Sequence, residues 1–174
     1  MNLKVGSKVF YPMHGAGWIK EEKEIEFSGE KKKYFEFELI TSLLSISTPV
    51  EKVESLGVRP VLPVKEIKEK ISVLKKKPTL DPKMKDFNNM LNIFKELEGS
   101  SNIDDSIKII QYCNFVKKKR EKEGRLIPVS IEKQLEGAIG NVVGELAVSS
   151  GNALEKAEET FKQITGIDVS ITKG

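Results

Sequence analysis

The spacing of apolar and polar positions changes period once along this chain, close to residue 60. Before that point, short runs rich in Val, Ile, Phe and Tyr are separated by Gly6, Gly15, Gly17 and Gly29, the residues expected where tight turns between strands need positive φ. KVFYP (8–12) predicts one strand and AGWIKEEKEIEF (16–27) a long second one. KYFEFELI (33–40) alternates almost strictly, so one of its faces is buried. LLSISTP (43–49) predicts a fourth strand that stops at Pro49, because proline cannot donate to a ladder. Residues 3–59 therefore read as a small β-barrel. Within it Trp18 is expected on a packed barrel face, His14 in a turn, and Tyr11-Pro12 at a strand exit; Glu21-Glu22 and Lys31, Lys32 and Lys33 are expected as exposed hairpin charges.

Beyond Arg59 the period becomes 3.6 and each segment predicts a helix. Val64, Ile67, Ile71 and Leu74 form a first stripe, which ends in Lys75, Lys76, Lys77 and Pro78. Asp81 followed by Pro82 has the form of an N-cap with proline at the first helical position, and Met84, Phe87, Leu91, Phe94 and Leu97 follow as a second stripe that Gly99 ends. Ile103, Ile107 and Ile110 mark a third helix, closed by Lys117, Lys118, Lys119 and Arg120, cations suited to a helix C-terminus. Pro128 or Ser130 opens a fourth with Leu135, Ile139, Val142 and Leu146; Leu154, Ala157, Phe161 and Ile164 make a fifth, ended by Gly166. The tail from Ile167 shows no period and is expected to be loose or weakly docked. Helices this short are marginal alone, so they must bury their stripes in one another. The fold class is thus α+β multidomain, a barrel over 1–59 and a compact five-helix domain over 60–174, divided where Pro60 and Pro63 interrupt both patterns.

The fourth helix carries Gly137, Gly140 and Gly144 at i, i+3 and i+7, opposite its apolar stripe. Each costs roughly 0.5–1 kcal/mol relative to alanine. Either another helix or a DNA strand approaches this backbone closely, or the helix is buried on both sides and needs small residues; the second reading is preferred.

The formal charge of +3 conceals an asymmetry. Residues 1–60 balance at 0, residues 61–130 at +6 and residues 131–174 at −3, which makes the middle of the chain the place to look for nucleic acid. Solvated helix faces give the same composition. No apolar run nears the ~18 residues that span a bilayer and no basic-then-apolar leader is present, so a cytoplasmic protein is expected. Cys113 is the sole cysteine and His14 the sole histidine, too few for a metal cluster, and neither a phosphate loop nor a nucleophile with its base can be assembled. The expectation is a non-enzyme with no cofactor, metal, membrane partner or small-molecule substrate.

VGSKVFYPMHG, SGEKKKYF and STPVEKVESLGVR together resemble the CarD/CdnL family of bacterial transcription regulators, without an obvious gap from Leu3 to Arg59. The resemblance implies a Tudor-like (SH3-like) domain that binds the β subunit of RNA polymerase, shared with the transcription-repair coupling factor, and a five-helix domain that touches promoter DNA at the upstream edge of the melted bubble. It implies a polymerase-facing surface on the long second strand and the strand leading to Pro49, with Ile25, Phe27, Ile46, Ser47 and Pro49 as candidates; relatives often carry arginine at the positions of Ile25 and Ser47. Contact through backbone pairing at a sheet edge tolerates such changes. For DNA the candidates are Lys83, Lys85, Lys117, Lys118, Lys119, Arg120, Arg125 and Lys133. Two features depart from the family. A tryptophan that wedges at the bubble edge usually stands four residues before the aromatic Phe87, where this chain has Lys83, which can neutralise a phosphate but not stack. VVGELA matches closely, yet Gly137 and Gly140 occupy positions more often polar or basic. The implied function is regulation of transcription initiation. Alternatives are a polymerase tether that recruits another protein, and a Tudor/KOW-like module in an RNA-binding or ribosome-associated factor.

Overall fold

The computed structural model describes residues 2–78 and 86–169. Lys8–Tyr11 (β1), Gly15–Phe27 (β2), Glu30–Leu39 (β3), Ser45–Pro49 (β4) and Arg59–Pro60 (β5) form one antiparallel sheet in the order β4-β3-β2-β1-β5. The sheet is not closed into a barrel: β4 and β5 are its two edges. The two-residue β5 is too short to leave a periodic signal, which is why only four strands are legible. Ser28 and Gly29, with φ of 52° and 80°, make the tight turn between β2 and β3. Gly17 is no turn residue. It lies within β2 opposite Val9 and Leu39, and a Cβ there would collide with the Glu38 carbonyl, so close strand approach is what requires glycine.

The two faces of the sheet have different fates. Val9, Tyr11, Ile19, Phe35, Phe37 and Leu39 turn to one side and enclose a small core with Val53 and Val58, where Tyr11 Oη and Thr48 Oγ1 lie 3.0 Å apart. On the opposite side Phe10 and Ala16 join the helical core together with Ile40, and Trp18 packs against it. Trp18 is therefore a packing residue, as expected, but on the helical side of the sheet. His14 sits in its turn with its ring edge-on to Tyr11.

Val64–Ile71 (α1) runs on into a 3-10 turn at Ser72–Lys75; Phe87–Glu98 (α2), Ile103–Lys122 (α3), Val129–Ser150 (α4) and Leu154–Thr165 (α5) complete the helical layer. The N-cap of α2 is Asp86, whose carboxylate accepts from the Asn88 N–H; the expected cap at Asp81-Pro82 lies outside the described residues. Asn102 caps α3 in the same way. The tail is docked as far as Val169, contrary to its lack of period. Ile167, just after the left-handed Gly166, is buried; Val169 packs on the helical core and Asp168 pairs with Lys162 at 2.6 Å. One apolar side chain placed beyond a C-cap suffices for this, and no periodicity reveals it.

Sheet and helices are joined through a buried carboxylate. Glu145 of α4 is 0% exposed and accepts from Arg59 Nη1 at 2.6 Å, Arg59 Nη2 at 3.0 Å and the Leu62 N–H at 2.9 Å. Arg59 also donates through Nε to the Ser101 carbonyl at 2.6 Å, and its guanidinium lies 4.8 Å from the centre of the Phe10 ring. The last strand, the segment just before α1 and the loop between α2 and α3 are thereby tied to α4. Of the three α4 glycines, only Gly144 faces a close neighbour: a Cβ would meet methyl groups of Ile40 and Thr41 at 3.3 and 3.4 Å. Nothing lies within 4 Å over Gly137 or Gly140. The need for small residues on a doubly buried helix thus accounts for Gly144 alone.

Removing the carboxylate by Glu145→Ala should cost about 3–5 kcal/mol in urea unfolding, because the Arg59 charge and the Leu62 N–H lose their acceptor together, whereas the double change Arg59→Met with Glu145→Leu should be less damaging than the single one. Gly137→Ala and Gly140→Ala should each raise stability by roughly 0.5–1 kcal/mol, while Gly144→Ala gains nothing, since the Ile40 and Thr41 methyls must move; unfolding midpoints that rank these three otherwise would contradict the packing described.

Candidate functional site

A cleft of about 600 Å³ lies between the end of the α1 segment and the C-terminal half of α3. Lys75, Lys76 and Lys77 form one wall, and Lys118, Lys119 and Lys122 the other; Glu121 is the lone acid among its described lining residues. The run after α1 ends its 3-10 turn at Lys75 and extends away at Lys76, which carries the lysines across from α3. Leu74, Pro78 and Phe115 supply apolar surface below them. Crowding of ammonium groups over a low-dielectric floor focuses positive potential into the recess.

Only part of the expected DNA set converges there. Lys118 and Lys119 line the cleft, but Lys117 turns to a separate recess with Glu132, Glu136 and Asp168. The Lys162 ammonium, and less strongly Lys117, hold the Asp168 carboxyl below its ordinary value. Arg120 donates to the Leu126 carbonyl at 3.1 Å and lies 5.7 Å over the Phe87 ring, so it stitches the α3–α4 loop to α2. Arg125 pairs with Glu123 at 3.3 Å, and Lys133 lines another recess beside Met13 and Glu98. Lys83 and Lys85 lie outside the described residues. Lys75, Lys76 and Lys77 belong to the cleft although the sequence marks them only as a helix end, and Lys122, which it did not single out, joins them; the run Lys75, Lys76, Lys77 was the signal, but a run cannot show what stands across from it.

A second surface lies on the sheet. β1 pairs with β2 only from Gly15 to Trp18, and from Lys20 onward β2 is exposed; β4 pairs with β3 as far as Tyr34, and beyond it residues 24–27 and 30–33 project as a two-stranded ribbon. Register places side chains. After the irregularity between Ile19 and Glu21, Ile25 stands opposite Lys32, Phe27 opposite Glu30, Ser47 opposite Glu36 and Pro49 opposite Tyr34, so these four candidates share one face. It is also the face on which Phe10, Ala16 and Trp18 meet the helices farther back. Ile25 and Phe27 are 39% and 79% exposed. Ile46 is different: opposite Phe37, it turns to the other side and packs on the small β core. On the shared face the Lys23 ammonium contacts Glu36 and lies 3.0 Å from Glu21, which holds the Glu36 carboxyl low and the lysine high.

Cys113 has no part in either surface. It is buried in the core, and burial, reinforced by the Glu98 charge, pushes its thiol up to about 12. No described helix is long and apolar enough to cross a membrane.

Residues 3–62 match the model of the CarD-like/TRCF RID domain. The chain is also 24% identical over 159 residues, 91% of its own length and 99% of the other's, to a protein of Bacillus subtilis (strain 168) named "Putative transcription factor YdeB". The match ends at Leu62, whose N–H is held by Glu145, and so takes in the whole sheet, including β5. The sheet thus carries the match to the CarD-like/TRCF RID domain, and along nearly its whole length the chain is similar to a protein named as a putative transcription factor.

Proposed function

We propose that the protein is a non-enzymatic, cytoplasmic regulator of bacterial transcription initiation, whose residues 1–59 bind the β subunit of RNA polymerase while residues 60–174 lie at or near upstream promoter DNA, at the upstream edge of the melted region. The observation that carries this reading is the match of the sheet to the polymerase-interacting domain family, and the five-strand sheet would be its Tudor-like module. In support, the far end of the β2–β3 ribbon presents Ile25 and Phe27 to solvent on the face that also bears Ser47 and Pro49. β4 is a sheet edge, open to backbone pairing with a partner strand. The lysine cleft supplies phosphate contacts that position the protein without reading sequence. Tethering to polymerase raises the local concentration of DNA, so the DNA contact need not be tight by itself.

Two measurements test the halves separately. In the full chain, Ile25→Glu combined with Phe27→Glu should weaken binding to the isolated polymerase β subunit by about tenfold or more, the effect of losing central contacts, whereas Ile46→Ala should lower stability and leave the affinity of the folded fraction alone. Unchanged affinity of the double variant would place the contact elsewhere, and capture of ribosomal RNA or ribosomal proteins in place of polymerase would favour the RNA-binding alternative.

For DNA, three or four phosphate contacts give a slope of log K against log salt near −3 to −4. Changing Lys118, Lys119 and Lys122 to glutamine should reduce that slope by about 2–3, while Lys117→Gln, set among acids, should leave it nearly unchanged. A slope insensitive to the triple change would leave the cleft lysines as solvated charges and favour the protein-recruiting alternative.

A further inference from the structure

The cleft contains more than phosphate contacts require. Along α3, Gln111, Asn114 and Phe115, then Lys118, Lys119 and Lys122, follow one another at helical spacing on the face that lines it. Their order is amide, aromatic ring, cation. Opposite stand Lys75, Lys76 and Lys77, with Leu74 and Pro78 beneath. Phe115 is half-buried and lines the same recess as both sets of lysines.

A duplex and an unpaired strand would use this shape differently. In a duplex the bases are stacked inside and the phosphates lie on a convex surface, so it could meet the rim lysines but leave the floor, the ring and both amides unused. An unpaired nucleotide has an exposed π-face and free base edges. A positively charged groove that follows the backbone, with an aromatic ring for stacking, is the arrangement that binds single strands with little sequence preference. Amide side chains beside the ring can both donate to and accept from a base edge.

We infer that the cleft holds single-stranded DNA, with one base seated on Phe115 beside Asn114 and Gln111 and the flanking phosphates between the two lysine walls. The inference rests on the proposed DNA contact and specifies it further: the ligand is a melted stretch, and the recess selects it over intact duplex.

The test is fluorescence anisotropy on the full chain, with a labelled 12-nucleotide strand of mixed sequence, the same strand in duplex, and tripolyphosphate as competitor. The single strand should bind about five- to tenfold tighter than the duplex at equal salt. Phe115→Leu should weaken single-strand binding on the order of 5- to 100-fold, the range seen when a stacking aromatic is lost, with duplex binding little changed, and Phe115→Tyr should retain the preference. Should Phe115→Leu fail to fold, a strand carrying 5-iodouracil, photocrosslinked to the unaltered protein and mapped by mass spectrometry, reports on the same point; adducts at Phe115 support the inference and adducts confined to sites outside the cleft overturn it. Equal affinity for strand and duplex, unaffected by Phe115→Leu, also overturns it while leaving lysine–phosphate contact intact. Absence of salt-dependent binding to either form removes both this inference and the DNA contact on which it rests, and complete displacement of the strand by equimolar tripolyphosphate overturns the stacking component.

Discussion

The carboxylate of Glu145 is the constraint on which the arrangement of this molecule depends. An acid with no solvent access is tolerable only if its acceptor sites are filled, and here a forked guanidinium and a backbone N–H fill them. These donors come from the last strand of the sheet and from the segment just before α1, and the same arginine reaches the carbonyl of Ser101 between α2 and α3. Apolar packing of Phe10, Ala16, Trp18 and Ile40 on the helices would permit several related seatings, since dispersion is weakly directional. A bidentate ion pair is highly directional. It selects one seating among those that the apolar contacts allow.

The two candidate surfaces depend on that seating in different ways. The lysine cleft is built wholly within the helical layer, from the end of the α1 segment and from α3. The exposed ribbon belongs wholly to the sheet. Neither needs the other to exist, but their separation and mutual angle are set through α4, which packs across β2 and carries Glu145. The separation of the two candidate surfaces is thus a property of a junction that touches neither.

Period and punctuation made most of the architecture legible. Four strands and five helices follow from alternation, stripes and terminating glycines, because those signals reflect one face being buried, and burial is what the structure enforces. The failures have a common physical origin. The open sheet, the two-residue β5 and the docked Ile167 depend on single long-range contacts that leave no period. Gly17 looked like a turn residue because a strand glycine required by close approach has the same letter. Among charges, consecutive lysines diverge: Lys117 and Lys118 are 100° apart around α3, so one faces acids and the other the cleft. Glu145 was visible as a lone acid inside the apolar run VVGELAV, the best sequence signal of a buried pair, but its partner stands 86 positions away.

The parity of the sheet has a geometric outcome. The irregularity after Ile19 shifts β2 by one residue against β3, and through that shift Ile25 and Phe27 open on the side that Ser47 and Pro49 share, which the helices cover farther back. A body seated on the ribbon therefore lies alongside the helical layer, in the angle between ribbon and bundle, and not behind the sheet. With the opposite parity Ile25 and Phe27 would point away, and a body seated on them would be held apart from the helices by the thickness of the β core. One residue inserted or deleted in β2 between Trp18 and Ile25 would turn Ile25 and Phe27 to the other side while Ser47 and Pro49, held by the β3–β4 pairing, stayed in place, and so would divide the patch between the two faces of the sheet.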